Sequence, residues 1–188
     1  MTVAATYQRE APAKAMQITY RSPRQSDAVR IDNLVKACPP LDVNSTYAYQ
    51  LVCTHFAETS IVAEIENQPA GFISAYLEPQ TPTVLFVWQV AVSPHARGRG
   101  IGLGMLRWLL DRPACGHVRH LETTITPSNE SSWHMFRGLA GRLHVPCDVS
   151  PHVSSEDLGG AHEPEHLVRI GPIPSRAGSG HEQCPGGS

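Results

Sequence analysis

Val84-Leu-Phe-Val-Trp-Gln-Val-Ala-Val92, then Ser93-Pro-His-Ala-Arg-Gly-Arg-Gly100, then Ile101-Gly-Leu-Gly-Met-Leu-Arg-Trp-Leu-Leu110, is the stretch whose reading decides the fold. The first segment is a near-continuous β-branched and aromatic run, the pattern of a strand buried on both faces. In the third, Gly102, Met105, Leu106, Leu109 and Leu110 recur with helical spacing. Pro113 stops that helix. Between strand and helix, Arg97 and Arg99 alternate with Gly98 and Gly100. Glycines let the backbone turn N–H groups inward, and the helix N-terminus and arginines add positive charge. Strand, basic glycine turn and helix together form a cradle for a diphosphate.

Two familiar phosphate loops do not fit. No Gly-Lys-Ser/Thr follows the glycines, and the chain has only two lysines, Lys14 and Lys36. The third glycine of a dinucleotide fingerprint falls on Leu103 or Met105. The pattern that fits, Arg97-x-x-Gly100-x-Gly102, resembles the acetyl-CoA signature of the GCN5-related N-acetyltransferases.

Working outward, 188 residues with 41% hydrophobic content suit one domain. No apolar run is long enough to span a membrane. The N-terminus has no basic start and apolar core of a secretory signal, so a cytoplasmic location is expected. The five cysteines (Cys38, Cys53, Cys115, Cys147, Cys184) are scattered and form no Cys-x-x-Cys, which points to reduced thiols. A net charge of −2 supplies no field for nucleic acid.

Residues 1–16 read as a loose arm, 17–171 as one domain and 172–188 as a disordered tail. Ile18-Thr-Tyr-Arg21 is a short strand. Ser26 or Asp27 caps a helix bearing Ile31, Leu34, Val35 and Cys38, which Pro39-Pro40 ends. A loop at 41–46 caps a second helix. Ile61-Val-Ala-Glu-Ile65 and Gly71-Phe-Ile-Ser-Ala-Tyr-Leu77 form an antiparallel hairpin about Glu66-Asn-Gln-Pro69. Val118 to Ile125 is a strand parallel to the central one, because a helix intervenes. A helix runs from Pro127-Ser128-Asn129 to about Gly138, residues 143–160 carry little pattern, and Glu165 to Ile170 is a last strand. The resulting order, β-α-α-β-β-β-α-β-α-β, is that of the acetyltransferase fold. The resemblance implies an α/β protein whose mixed sheet is flanked by helices and splays at acetyl-CoA.

The same resemblance implies site roles. In the family the strand before the cradle bulges, and its backbone holds the pantetheine arm and the thioester oxygen. Here those groups belong to Gln89, Val90, Ala91 and Val92, with the diphosphate on Arg97, Gly98, Arg99, Gly100 and Gly102. Asn129-Glu-Ser-Ser-Trp-His-Met-Phe136 resembles the family's second signature, with Asn129 and Phe136 beside CoA. Phe136 stands where many relatives carry a proton-donating tyrosine, which leaves the thiolate to Tyr47, Tyr49, His134, a water, or unassisted departure. An amine of pKa near ~10 must lose a proton, roughly 4 kcal/mol at neutral pH, and a nearby acid relieves that cost. Glu122 is the first acid to inspect; alone, it reads equally as a solvent-facing strand residue.

The segments Leu41-Asp-Val-Asn-Ser-Thr-Tyr-Ala-Tyr49, Cys53-Thr-His-Phe56, Leu85 to Val92 and Leu121 to Asn129 closely resemble the L-2,4-diaminobutyrate acetyltransferases of ectoine biosynthesis. The resemblance spans about 18–171. It implies acetylation of the 4-amino group of that diamine, yielding the compound that a synthase cyclises to ectoine under osmotic stress. Asp42, Tyr47 and Glu122 are then the catalytic candidates. Asp42, Asn44, Tyr47, Trp88, Glu122, Thr124 and His162 are the substrate-binding ones. Without the resemblance, Asp42 would be a turn residue and Trp88 core. His162-Glu-Pro-Glu-His166 is not a zinc-protease helix, because Pro164 breaks it, and no metal is expected. Other small-amine acceptors and a non-catalytic acyl-CoA sensor are the alternative readings. Many relatives dimerise, so a homodimer is expected, with no nucleic-acid or membrane partner.

Overall fold

A computed structural model describes residues 17–160 and 162–174. The arm, and the tail from 175 on, lie outside the described residues. The elements are β1 (Ile18–Arg21), α1 (Ala28–Lys36), α2 (Thr46–His55), β2 (Ile61–Ile65), β3 (Gln68–Leu77), β4 (Val84–Val92), α3 (Ile101–Leu110), β5 (His120–Ile125), α4 (Glu130–Leu143), β6 (Cys147–Val153) and β7 (Glu165–Ile170). The seven strands form one mixed sheet in the order β1-β2-β3-β4-β5-β7-β6. Only β4 and β5 pair parallel, across the α3 crossover. Among the described residues no helix is long and apolar enough to cross a membrane.

Each sheet face has its own core. On the front, Ile31, Val35, Tyr49 and Val52 of α1 and α2 close over Val62, Phe72 and Ala91. On the back, Met105, Leu109 and Phe136 of α3 and α4 close over Ile73, Leu85, Leu121 and Val168. The alternation of apolar residues along β3 and β4 serves both layers, as expected of a strand covered on two sides.

Four expectations need correction. The hairpin turn is only Glu66 and Asn67, at φ of 50° and 62°, and pairing resumes at Gln68. Two left-handed residues match the strand twist and make the tight turn. Helix α4 continues past Gly138 and Gly141 to Leu143, because Leu139 and Ala140 are buried beyond the first glycine. A seventh strand, β6, fills part of the stretch that showed little pattern. It is an edge strand, exposed along most of its length, so it carries no buried face to mark it, and Pro151 is tolerated there. The packed domain also extends past 171: Ile173 is buried in the back core, and its N–H donates to the Arg119 carbonyl at 2.6 Å.

Asp27 stands before α1 as expected, but its carboxylate does not cap that helix. It accepts instead from Arg21 Nη1 at 2.6 Å and Nη2 at 2.9 Å, while Glu64 accepts from Nε at 3.0 Å and Nη2 at 2.6 Å. One guanidinium thus ties β1, β2 and the entry to α1. Burial pushes the Asp27 carboxyl up, but the bonds from Arg21 and the Arg24 N–H outweigh it and the net shift is downward. Arg21 likewise holds Glu64 below the usual carboxylate range. Both groups bind protons more weakly folded than unfolded, so their contribution is present above about pH 4 and is lost in more acid solution. Arg21→Met leaves two buried carboxylates only the longer ion pairs to Arg30, at 3.5 Å and 3.6 Å, and should cost about 3 kcal/mol at pH 7. Urea denaturation should show that loss shrinking toward pH 3.5; a pH-independent loss would contradict the ion-pair account.

Candidate active site

The site is built where two strands part. β4 pairs with β5 only at Val84, Leu85 and Phe86, opposite His120, Leu121 and Glu122. Beyond Phe86 it stays with β3 alone, while β5 continues beside β7. The polar groups along the β5 side of β4 are therefore left without a strand partner. On its other side β4 carries an extra residue. Ser74 pairs with Gln89 and Ala75 with Val87, so Trp88 is bulged out of the ladder. The bulge also restores burial. Leu85 and Val87 face back before it, Val90 and Val92 face back after it, and Gln89 and Ala91 face front.

A cleft of about 770 Å³ opens between the C-terminal half of β4, the glycine turn and the N-terminus of α4. Val90, Val92, Arg97, Gly98, Gly100 and Gly102 line it, as does Asn129, whereas Arg99 does not. Gly98 and Gly100 lie at φ of 75° and 74°, with open space where a side chain would project. No side chain caps α3, so the N–H groups of its first turn remain available to an anion. Gly102 has a packing duty too: a Cβ there would meet Met135 Sδ at 2.6 Å, so its absence lets α4 approach α3. These residues fit a diphosphate-bearing ligand with an apolar arm. The loop after α1, through Cys38, Pro39 and Leu41, forms a wall of the cleft that sequence reasoning had not assigned.

Glu122 and Thr124 stand on the front face of β5. Glu122 is in register with Phe86, which belongs to the front-face stack with Tyr76 and Phe56, and the alternate residues Leu121 and Ile125 enter the back core. Glu122 is buried at 9% exposure, and its Oε1 accepts from Arg169 Nη1 of the neighbouring strand. That pairing follows from register alone and has no signal in the sequence. Oε2 has no hydrogen bond from a described residue. Trp88 is 51% exposed and Tyr47 69%, an unusual exposure for aromatic side chains on either side of Gln89 and α2. Asp42 and Asn44 lie on the loop between α1 and α2, with the Asp42 carbonyl accepting from Gln89 Nε2 at 2.8 Å.

The model of the acetyltransferase (GNAT) family matches residues 28–140. The L-2,4-diaminobutyric acid acetyltransferase of Bordetella parapertussis is 50% identical over 86% of this chain and 88% of its own. The protein of the same name from Chromohalobacter salexigens is 50% identical over 81% and 80%. The chain belongs to the L-2,4-diaminobutyric acid acetyltransferases of the GNAT family. Diaminobutyrate acetyltransferase EctA of Paenibacillus lautus, solved with L-2,4-diaminobutyric acid and coenzyme A, matches at TM-score 0.83 and 38% identity, covering 87% of this chain and all of that one. The ribosomal-protein-S18-alanine N-acetyltransferase of Escherichia coli, 14% identical at TM-score 0.62 over 89% of this chain and all of its own, shares the fold.

Two residues expected in the site of this GNAT acetyltransferase, Phe136 and His162, do not line the cleft. Phe136 is 2% exposed in the back core and does not line the cleft, because the helical turn that presents Asn129, Ser132 and Met135 to the cleft turns Phe136 inward. Asn129 is the N-cap of α4, its Oδ1 accepting from Ser132 N–H at 3.1 Å. His162 sits on the exposed β6–β7 loop, its carbonyl accepting from Ser155 Oγ at 2.6 Å, and no described contact joins it to Asp42, Trp88 or Glu122. The rest of its motif is dispersed: Glu163 accepts from Ser128 N–H and Oγ, and His166 lies against Trp133. No described group of three or more His, Cys, Asp or Glu is arranged to hold a metal ion. Of the three groups considered for the thiolate, only His134 lines the cleft; the Tyr49 hydroxyl is buried and hydrogen-bonded to Gln89.

Gly100→Ala forces a left-handed conformation on a residue with a Cβ and should cost about 1 kcal/mol of stability. It should also raise the KM for acetyl-CoA about tenfold by filling the cradle. Steady-state kinetics with varied acetyl-CoA would check this, and an unchanged KM in a folded variant would remove Gly100 from the cradle.

Proposed function

We propose that this chain transfers the acetyl group of acetyl-CoA to the 4-amino group of L-2,4-diaminobutyrate, giving N4-acetyl-L-2,4-diaminobutyrate for ectoine biosynthesis. The observation that carries the reading is 50% identity, over more than four-fifths of both chains, to proteins of that activity name. The splayed β4–β5 junction beside an uncapped α3 supports the acyl donor side of the same reading.

In this proposal the glycine turn, Arg97 and the first turn of α3 hold the diphosphate. Val90 and Val92 flank the pantetheine arm, and the unpaired backbone of β4 near Trp88 and Gln89 meets the thioester oxygen as it gains charge. The acceptor approaches from the front face. Asp42 and Asn44 meet its amino-acid end, Tyr47, Trp88 and Thr124 orient the chain, and Glu122 receives the reacting ammonium on Oε2, directly or through a water. Arg169 fixes the orientation of that carboxylate. One ammonium proton passes to Glu122 or to the water it holds, and the neutral amine adds to the thioester carbonyl. The tetrahedral intermediate collapses with cleavage of the C–S bond, and the second nitrogen proton goes to the departing CoA thiolate or to solvent. We further propose that the enzyme works in the cytoplasm, where its thiols stay reduced; the four described cysteines are free. A homodimer completes the proposal, supported by the exposed edge strand β6.

The test is thiol release from acetyl-CoA with diaminobutyrate, ornithine, lysine and spermidine, with NMR on the product. Acetylation of the 4-nitrogen of diaminobutyrate in strong preference is expected; turnover only with another amine would discard the substrate. Glu122→Gln should lower kcat by about 100-fold while leaving the KM for acetyl-CoA unchanged. A kcat within twofold of wild type would remove Glu122 from the chemistry. Asp42→Ala should raise the KM for diaminobutyrate and spare that for acetyl-CoA; equal changes in both would exclude Asp42 from the acceptor pocket.

A further inference from the structure

Gln89 is a polar side chain buried on a strand that is otherwise apolar, and both ends of its amide are used. Nε2 donates to the Asp42 carbonyl at 2.8 Å, and Oε1 accepts from the Tyr49 hydroxyl at 3.2 Å. The Tyr49 oxygen in turn accepts from the Asn44 N–H at 3.3 Å. Tyr49 is itself fixed, buried in the front core with its ring edge-on to Phe72, centroids 6.1 Å apart. At the base of the loop, Thr46 Oγ1 donates to the buried Asp32 carboxylate at 2.6 Å, and Ser45 caps α2. Loop 41–45 is therefore held at two successive backbone points by one buried chain of hydrogen bonds. That chain starts at the residue next to the bulged Trp88.

From this geometry we infer that Gln89 and Tyr49 are positioning residues that set acceptor length. The inference rests on the acceptor assignment proposed above. Neither side chain needs to touch the acceptor. They join the loop bearing Asp42 and Asn44 to the bulge where the thioester oxygen is expected, and so fix the distance between the two ends of the acceptor site. A diamine acid must span that distance with its methylenes. Diaminopropionate is one methylene too short and ornithine one too long. A fixed separation rejects both, whereas a loop free to shift by an ångström accommodates either. A buried chain in which Gln89 Nε2, Gln89 Oε1 and the Tyr49 hydroxyl each have a partner has the rigidity this requires, and one methylene in a fitted site is worth about 10- to 200-fold in discrimination.

The experiment uses the full chain with Tyr49→Phe and Gln89→Met, both close in shape to the native residues. Two readouts are taken: hydrogen exchange of the 41–45 amides, and kcat/KM for 2,3-diaminopropionate, 2,4-diaminobutyrate and ornithine. Both variants should exchange faster at 41–45 while the α1 core stays protected. Their preference for diaminobutyrate over ornithine should fall at least fivefold, and Tyr49→Phe should keep the KM for acetyl-CoA within twofold. The double variant should be no worse than the poorer single, since both residues belong to one chain of bonds. Unchanged exchange would show that the chain does not hold the loop and overturn the inference. Faster exchange with unchanged length preference would overturn the length-setting role. Loss of activity against all three acids in equal proportion, with a lowered melting temperature, would mark the pair as merely structural and overturn it too. If the wild type itself shows no preference for diaminobutyrate, the substrate reading has failed, and the exchange data still judge the clamp.

Discussion

The protein depends on one parting of strands. Among the described strands β4 and β5 are the only parallel pair, joined by the α3 crossover, and they stay together for three residues. Parallel strands of this kind would ordinarily zip to their ends, because every backbone group left unpaired in the interior costs free energy. Here α3 and α4 pack behind the sheet, the strands part toward their C-terminal ends, and the open backbone faces a cleft of about 770 Å³. A ligand that carries its own amides and a diphosphate can satisfy what the sheet gives up. The left-handed glycines and the uncapped start of α3 follow that same strand, so one short segment carries every feature of the proposed donor site.

The opposite edge of β4 carries the complementary device. Inserting Trp88 shifts the register against β3, so the residues after it still present apolar side chains to the back core. It also turns Gln89 toward the 41–45 loop, so the strand proposed to meet the donor is hydrogen-bonded to the loop proposed to meet the acceptor. Elsewhere charge is used for construction. Arg21 gathers Asp27 and Glu64 to fasten the first strand, and Arg169 holds Glu122 across the β5–β7 pair. The two clusters look alike in composition. Only the second lies beside the splayed strands, where the acceptor is proposed to approach.

The central strand, the glycine turn and α3 were legible because their patterns are local. Periodicity marks a covered helix, and a left-handed turn before it demands glycine. The parallel partner β5 followed from the intervening helix, and the hairpin of β2 and β3 from its turn residues. β6 was not legible, since an edge strand buries neither face, and the extent of α4 was hidden by two glycines that count as breakers until burial of Leu139 and Ala140 outweighs them. Phe136 was placed beside the ligand by motif position, but helical phase puts its ring in the core.

The amino-acid sequence by itself determined the central strand, the glycine turn and the helix after it, because each rests on residues close together in the chain, while the family and its fold entered through the resemblance of whole motifs. Tertiary structure decided the bulge at Trp88, the pairing of Glu122 with Arg169 and the bonds from Gln89 to Tyr49 and Asp42. These join residues 40 to 47 positions apart. Their partners are chosen by strand register and by how two helices close over a sheet, and no local pattern records either.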